Sequence, residues 1–440
     1  MKRMLSPVLA LGAALLLAPM AQAAMPDKAD AATVEQALQL AQQQHKPVLI
    51  DFHATWCYSC YYMASHVLTG KDWAELRRKV VFVDADADTP NGHQWMDKLK
   101  ISFLPSYVVL NGQGQELGRI LAEQPRHAFY PEMAAILQHG DTLDGLQQKA
   151  SAGSLAAVAE VLETYHARNQ AAAGLQWLSS LPATVQHVVD QDDRAALAHR
   201  RLQLDQAVAD HRGPAVIETA SALLANDVGC DRPYIVDNLL TATEALPADR
   251  RKSLLQPQQQ TLADYVREQA LPLPPVCADQ RSAVLALADL DAQLGDAAGE
   301  RKILDQAIDL SRQRIGGHLS ADRNLADNLR VYLTRAGRTG ELDALQRQLI
   351  SAYPDDYVYA YRYGQSLLKA GQPAKALPWL QQAAGKAFGI NRLAVATAEV
   401  KALQALHRNA EARKVVDKAL AANGPWFPQQ AAALKASVKS

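Results

Sequence analysis

A Cys-x-x-Cys motif that directly follows a predicted buried strand has the clearest chemical capacity in this sequence. The apolar run 48–52 predicts the strand, and Cys57 and Cys60 lie in the segment 56–60, which reads Trp-Cys-Tyr-Ser-Cys. We expect a helix to begin at Cys57, where a helix N-terminus lowers the pKa of the thiol and favours the attacking thiolate. Because Cys60 lies one helical turn further on, it can close onto Cys57. The motif therefore predicts a thiol-disulfide exchange site.

The elements expected around this motif alternate between helices and strands. Thr33 and Gln36 form a predicted capping box at the start of the first helix. The other predicted elements are a strand over 48–53, a helix from 57 to about 68, a helix over 72–79, a strand over 80–84, a helix over 91–99, strands over 106–110 and 116–120 joined by a hairpin turn at 111–114, and a helix over 125–139. This order predicts an α/β domain over residues 30–140.

After about residue 140 the sequence predicts helices alone. The turn-forming segment that begins at Gly337 recurs at Gly371, an offset of 34 positions (371 − 337), and again near Arg408. Over 330–425 this pattern resembles tetratricopeptide repeats, which have a period of about 34 residues. Residues 150–330 look like a degenerate array of the same kind. We therefore expect an all-α, tetratricopeptide-like repeat domain over 141–440, with a loop at the proline-rich segment 271–275.

The N-terminal block resembles the thioredoxin superfamily. Residues 47–60 are similar to the first core strand and active-site turn of that family, and residues 103–106 are similar to the segment that carries its cis-proline. Residues 111–116 look like the hairpin turn of the C-terminal domain of the membrane reductant conductor DsbD. The resemblance covers about a third of the chain and implies an exported thiol-disulfide oxidoreductase with a thioredoxin-like fold.

This resemblance implies a role for each residue of the site. Cys57 attacks and forms a mixed disulfide with the substrate, and the more buried Cys60 resolves it. Asp51 occupies the place of a buried carboxylate, whose raised pKa suits proton exchange with Cys60. A cis bond before Pro105 would present the backbone of Leu104 to an extended substrate strand.

The residues that flank the first cysteine carry further expectations. Trp56 and Tyr58, together with Leu104, are the expected substrate-binding residues. The dipeptide at 58–59 is neither the Gly-Pro of cytosolic thioredoxins nor the Pro-His of strong oxidants, so it leaves the reduction potential open. Phe82 stands where thioredoxin keeps a lysine, which implies more apolar surroundings for Asp51.

Other interpretations of the same residues remain open. The cysteine pair could be half of a zinc site with His53 and His66, although a second ligand pair at zinc spacing is missing, or it could be a structural disulfide. Otherwise His53 is expected to be a packing residue. Asp51 could be an ordinary carboxylate at the end of a strand, and Pro105 a trans proline in a turn.

Two further cysteines, Cys230 and Cys277, lie in segments that are expected to be loops. We favour a structural disulfide between them, since an exported protein with an even number of cysteines can hold such bonds. The alternatives are a relay pair that exchanges with the Cys-x-x-Cys motif, or two unpaired thiols.

The first 23 residues read as an export signal. Lys2 and Arg3 precede an apolar core at 8–18, and the small-x-small segment 21–23 is a cleavage site. Together with the Cys-x-x-Cys motif, this signal predicts a periplasmic protein. The net charge of −1 over 440 residues argues against a nucleic-acid partner.

These observations predict an exported enzyme that reduces or isomerises protein disulfides without a cofactor or metal. Its expected partners are protein thiols and disulfides, a membrane thiol donor of the DsbD type, and a peptide or protein bound to the helical repeats. The alternatives are an oxidase that donates disulfides, and a non-catalytic scaffold or chaperone in which the repeats carry the function.

Overall fold

The computed structural model describes residues 29–438, and the expected export signal at 1–23 lies outside this range. We call residues 29–140 the N-terminal domain and residues 141–438 the helical region. No helix within 29–438 combines the length and the apolar character that crossing a bilayer requires.

A four-stranded sheet forms the centre of the N-terminal domain. Its strands are β1 (Val48–His53), β2 (Val81–Asp86), β3 (Ser106–Leu110) and β4 (Glu116–Leu121), in the spatial order β2-β1-β3-β4. β1 and β2 are parallel, whereas β3 is antiparallel to both β1 and β4. β1 is therefore an inner strand, buried on both faces, which explains its nearly continuous apolar sequence.

Five helices cover the two faces of this sheet. They are α1 (Val34–Gln44), α2 (Tyr58–Tyr62), α3 (Gly70–Lys79), α4 (Pro90–Leu99) and α5 (Arg126–His139), and a π-helical turn (Met63–Val67) extends α2. The predicted cap of α1 by Thr33 is present, because its Oγ1 accepts from Gln36 N at 3.3 Å. Gln36 Oε1 reaches back to Ala32 N, at 3.1 Å, instead of to the N–H of Thr33 as in a full capping box. The predicted order of elements is confirmed, with boundaries that differ by one or two residues.

Among the described residues, the helical region contains no strand, as predicted. Its α-helices are α6 (Leu143–Ser151), α7 (Leu155–Ala167), α8 (Ala171–Ser180), α9 (Ala183–Gln186), α10 (Asp193–Ala209), α11 (Gly213–Leu224), α12 (Arg232–Thr243), α13 (Ala248–Tyr265), α14 (Gln280–Leu294), α15 (Ala297–Ile315), α16 (Arg323–Arg335), α17 (Thr339–Ala352), α18 (Val358–Lys369), α19 (Pro373–Ala384), α20 (Gly389–Ala405), α21 (Asn409–Asn423) and α22 (Pro428–Ala436). A loop follows the π-helical turn Val266–Ala270, so the proline-rich segment 271–275 is not helical.

Three successive helix pairs, α16–α17, α18–α19 and α20–α21, repeat one turn geometry. The turns contain Gly337, Gly371 and His407, all with positive φ (66°, 70° and 59°). After each of them, a backbone N–H bonds to a carbonyl five residues earlier, at 2.8–3.0 Å. The 34-residue sequence period therefore corresponds to a repeating pair of helices.

The helical region packs directly on the N-terminal domain. α16 lies against α2, and Ala278 from the loop before α14 belongs to the apolar cluster on one face of the sheet. At a second place, Ile390 N in the first turn of α20 donates to Asp88 O at 3.0 Å. The two regions thus meet on both sides of the turn that carries the cysteines.

Replacing Gly389 by Ala should disturb this second contact. Gly389 has a φ of +51°, and a Cβ atom there would lie 1.8 Å from Asp88 O, so the two regions would have to separate. Gly371→Ala is the matched control, because Gly371 has a similar φ of +70° but no atom within 4 Å of the added Cβ. The left-handed backbone alone should cost each variant about 1 kcal/mol or more.

The thermal unfolding midpoint of Gly389→Ala should therefore be clearly lower than that of Gly371→Ala. Equal midpoints for the two variants would show that the contact between Gly389 and Asp88 contributes nothing to stability.

Candidate functional site

The two cysteines of the motif lie at the junction of β1 and α2. Cys57 is the N-cap residue of α2, with a φ of −83° and a ψ of 111°, and its Sγ accepts from Cys60 N at 3.1 Å. Cys57 and Cys60 are joined by a disulfide. The backbone N–H at the start of the helix thus points at the sulfur of Cys57, an arrangement that stabilises a thiolate when the bond is reduced.

The disulfide is mostly enclosed by protein. Cys57 is 4% exposed and Cys60 is 8% exposed, and both pack against Ala54, Ala87 and Leu104. The aromatic side chains near it are more open, since Trp56 is 42% and Phe103 48% exposed. Trp56 and Phe103 therefore give exposed aromatic surface next to Leu104, which packs on the disulfide.

The peptide bond between Leu104 and Pro105 is cis. Pro105 is buried at the start of β3, next to the inner strand β1 that leads to the cysteines. A groove of about 390 Å³ lies beside this segment, and one lining residue, Ile390, comes from the helical region. The groove is lined by Trp56, Ala87, Asp88, His93, Met96, Ser102, Phe103, Leu104 and Ile390.

Asp51 lies in the middle of β1 and is 9% exposed. Burial raises its pKa from the usual 3.8 to about 7, an effect that the nearby charge of His53 opposes and that of Asp84 supports. Among the described residues, Oδ1 of Asp51 has no hydrogen-bond partner. A carboxyl group in this environment can take up and release a proton near neutral pH.

The strand register places a second carboxylate, Asp84, opposite Asp51, while Phe82 lies opposite Leu49. One expectation about these surroundings is wrong. His53 is not a simple packing residue, since its Nε2 forms an ion pair with Oδ1 of Asp84. Burial alone would lower the pKa of His53. The hydrogen bond to Asp84 and the negative charges of Asp84, Asp51 and Asp86 have a larger effect, and they raise this pKa to about 9.

A further buried carboxylate lies near the motif and was missed by the sequence analysis. Glu123 follows β4 and is 6% exposed. Burial raises its pKa well above the usual range, and a hydrogen bond from Ser59 only partly opposes this effect. Nothing in the local sequence singles out Glu123, because only the tertiary fold brings it to Ser59.

The helical region contacts the residues on both sides of Cys57. Oη of Tyr58 donates to Asp279 at 3.2 Å, and the Tyr58 carbonyl accepts from Asn324 Nδ2 at 2.9 Å. The Trp56 carbonyl accepts from Arg362 Nη2 at 2.9 Å, while the Trp56 ring N–H donates to Asp88 at 3.2 Å within the N-terminal domain. Tyr58, expected beside the substrate, therefore lies against the helical region, whereas Trp56 lines the groove.

The remaining candidate residues do not line the groove beside the Cys57–Cys60 disulfide. Cys230 and Cys277 are joined by a disulfide that links a 3-10 turn (Gly229–Asp231) to the loop before α14. His66, weighed above as a zinc ligand, bonds to Asp322 of the helical region at 2.8 Å. No group of three or more potential metal-ligating side chains occurs within residues 29–438.

Residues 29–112 match a protein-family model described as thioredoxin-like. The thiol:disulfide interchange protein TxlA of Synechococcus elongatus is 29% identical over 123 residues, which cover 27% of this chain and 60% of that protein. The chloroplastic thioredoxin-like protein HCF164 of Oryza sativa is 27% identical over 91 residues, which cover 21% of this chain and 34% of that protein. The chain thus spans less than two thirds of the length of either relative.

Among solved structures, a thioredoxin from Thermus thermophilus is 26% identical to this chain. The alignment covers 25% of this chain and 87% of that thioredoxin, with a TM-score of 0.24.

Replacing Asp51 by Asn should stabilise the protein increasingly as the pH rises. Between about pH 4 and pH 7 the folded state keeps a proton on Asp51 that the unfolded chain has released, so wild-type stability falls through this window. Asn does not titrate, so the advantage of the variant in free energy of unfolding should grow by a few kcal/mol between these pH values, because one pKa unit corresponds to about 1.4 kcal/mol.

Urea unfolding of both proteins at about pH 4 and pH 8 measures this difference. Asp72→Asn is the control for the loss of one carboxylate, because Asp72 is an exposed partner of Arg126. A difference between Asp51→Asn and wild type that does not change with pH would contradict the assignment.

Proposed function

We propose that this chain is a thiol-disulfide oxidoreductase that reduces or isomerises disulfides of other proteins. The observation that carries the proposal is the Cys57–Cys60 pair at the start of α2, with the backbone N–H of Cys60 directed at the sulfur of Cys57. The match of residues 29–112 to the thioredoxin-like family model supports the same chemistry. The name of the relative TxlA, a thiol:disulfide interchange protein, supports this chemistry as well.

The reaction begins with the reduced pair. The Cys57 thiolate attacks one sulfur of the substrate disulfide, so that a bond forms between these two sulfurs while the substrate S–S bond breaks. The other substrate sulfur leaves as a thiolate and takes a proton from water. The product of this step is a mixed disulfide between Cys57 and the substrate.

Cys60 then resolves the mixed disulfide. Its thiol gives a proton to Asp51, and the resulting thiolate attacks the sulfur of Cys57, which releases the second substrate sulfur. The Cys57–Cys60 disulfide forms, and two electrons have passed to the substrate. The pKa of about 7 suits Asp51 to this transfer, since both of its protonation states are populated at neutral pH.

A dithiol must reduce the Cys57–Cys60 disulfide before the next cycle. We assign this role to a membrane thiol donor of the DsbD type, by analogy with the group that the N-terminal domain resembles. The signal-like segment at 1–23, outside the described residues, supports export to the periplasm. Cys230 and Cys277 would then serve as a structural disulfide in an oxidising compartment.

The substrate chain would enter through the groove beside the cis Leu104–Pro105 bond. Trp56 and Leu104 line this groove, and Phe103 and Ile390 supply further apolar surface. An extended segment fits such a site, because its backbone can pair with the backbone at Leu104. The helical region, as a tetratricopeptide-like array, would bind further parts of the partner protein.

Replacing Cys57 by Ser should reduce disulfide exchange to the level of protein-free buffer, because no attacking thiolate remains. Replacing Cys60 by Ser should instead trap mixed disulfides. Reduction of a disulfide-bonded test protein by dithiothreitol measures the first effect, and non-reducing gel electrophoresis detects the trapped complexes. Cys230→Ser combined with Cys277→Ser is the control and should retain exchange; normal turnover by Cys57→Ser would refute the mechanism.

The direction of electron flow should appear in the reduction potential of the Cys57–Cys60 pair. We expect a value near about −270 mV, as in reducing thioredoxins, measured by Trp fluorescence in glutathione buffers with Cys230 and Cys277 replaced. A value near about −120 mV would instead indicate a disulfide-donating oxidase. If no reduction potential can be measured for the pair, the alternative of a non-catalytic scaffold would be favoured.

A further inference from the structure

A group of arginine side chains from the helical region lies directly behind the turn that carries Cys57. Arg281, Arg330 and Arg362 all bond to the carboxylate of Asp327, at 2.7, 2.9 and 2.6 Å. Within residues 29–438, Asp327 is the only carboxylate that forms an ion pair with any of the three. Since Asp327 is fully buried and carries one negative charge, the group holds an excess of positive charge.

Two of these three guanidinium groups touch the neighbours of Cys57. Arg362 Nη2 donates to the carbonyl oxygen of Trp56, the residue before Cys57. The Arg281 guanidinium lies 3.5 Å from the ring centroid of Tyr58, the residue after Cys57. Their side chains are only 21% and 11% exposed, so water screens their charges weakly.

The pKa values of Asp327 and Arg330 agree with an excess of positive charge in this group of side chains. Although burial disfavours an ionised carboxyl, the three arginines hold the pKa of Asp327 far below its usual range. Burial and the charges of Arg362 and Arg281 lower the pKa of Arg330, despite the attraction of Asp327. The guanidinium groups therefore repel one another, and a further negative charge nearby would be stabilised.

Acidic groups on the other elements near Cys57 offset this charge only in part. Burial raises the pKa of Asp51 to about 7 and that of Asp86 to about 6, and it raises the pKa values of Asp88 and Glu123 as well. Burial thus weakens their negative charge, although Asp86, with a pKa of about 6, stays mostly ionised at neutral pH. Other charged groups near the turn are Asp279, which lies at the hydroxyl end of the Tyr58 ring, and three pairs: His53 with Asp84, His66 with Asp322, and Arg323 with Asp356.

We propose that Arg362, assisted by Arg281, stabilises the thiolate of Cys57 and so makes the Cys57–Cys60 pair more oxidising than the N-terminal domain alone would make it. A cation beside a reactive cysteine favours the thiolate, and a stabilised thiolate favours the reduced state. Arg362 is a positioning residue in this role, since it acts on Cys57 through the carbonyl of Trp56 and through its charge. The inference rests on the thiol-exchange function proposed above.

Two substitutions of Arg362 separate its charge from its hydrogen bond. Arg362→Gln keeps a donor for the Trp56 carbonyl but removes the charge, whereas Arg362→Lys keeps the charge. In either variant Asp327 retains two arginine partners, so the fold should persist. Arg335→Gln is the matched control, because Arg335 pairs with Asp289 and Glu300 inside the helical region.

The measurement is the rate at which iodoacetamide alkylates Cys57 in the reduced full chain as a function of pH, with the modified residue identified by mass spectrometry. For Arg362→Gln we expect an alkylation rate at neutral pH about three- to tenfold lower than for wild type, a higher pH midpoint and a more negative reduction potential. Arg362→Lys and Arg335→Gln should stay close to wild type. Arg281→Gln should shift the midpoint in the same direction as Arg362→Gln.

Three results would overturn the proposal. An unchanged midpoint in Arg362→Gln, in a protein whose wild type exchanges disulfides normally, would refute the role of Arg362 and leave the proposed function intact. Equal shifts in the Gln and Lys variants would show that geometry rather than charge matters. A wild-type Cys57 that does not react at any accessible pH would overturn both the inference and the proposed function.

Discussion

The hydrogen bond from Arg362 to the carbonyl of Trp56 joins two segments that are 306 positions apart in the sequence. It holds the turn before Cys57 against the helical region, while Asn324 holds the carbonyl of Tyr58 on the other side. The start of α2 is therefore fixed at both neighbours of the attacking cysteine. α2 has only five residues, and such a short helix gains from external support because few internal hydrogen bonds offset the cost of forming it.

The elements of the N-terminal domain could be predicted because local sequence determines them. The continuous apolar run of β1 and the turn residues between β3 and β4 are strong local signals, and so is the cap at Thr33. The last two residues of β2, Ala85 and Asp86, were not predicted, since Asp86 is unusual in a strand and belongs to it because it pairs with His53 of β1.

The site was predictable only as far as its residues are close in sequence. The Cys-x-x-Cys motif and the burial of Asp51 follow from the spacing and the family resemblance. Glu123 has no sequence signature, because it lies in a short segment after β4. The arginines around Asp327 have none either, because ordinary helical repeats contain many arginines on solvated faces. Their importance depends on how the helical region packs against α2, and tertiary packing of this kind cannot be derived from periodicity.

Ala278 links the two regions in a different way. It is separated by more than a hundred residues from the last strand of the sheet, yet it fills part of the apolar layer on the sheet face that also contains Tyr62 and Phe129. The division near residue 140 therefore leaves one residue of the helical region inside the apolar layer of the N-terminal domain. A fragment cut at that point would expose to water the apolar surface that Ala278 covers.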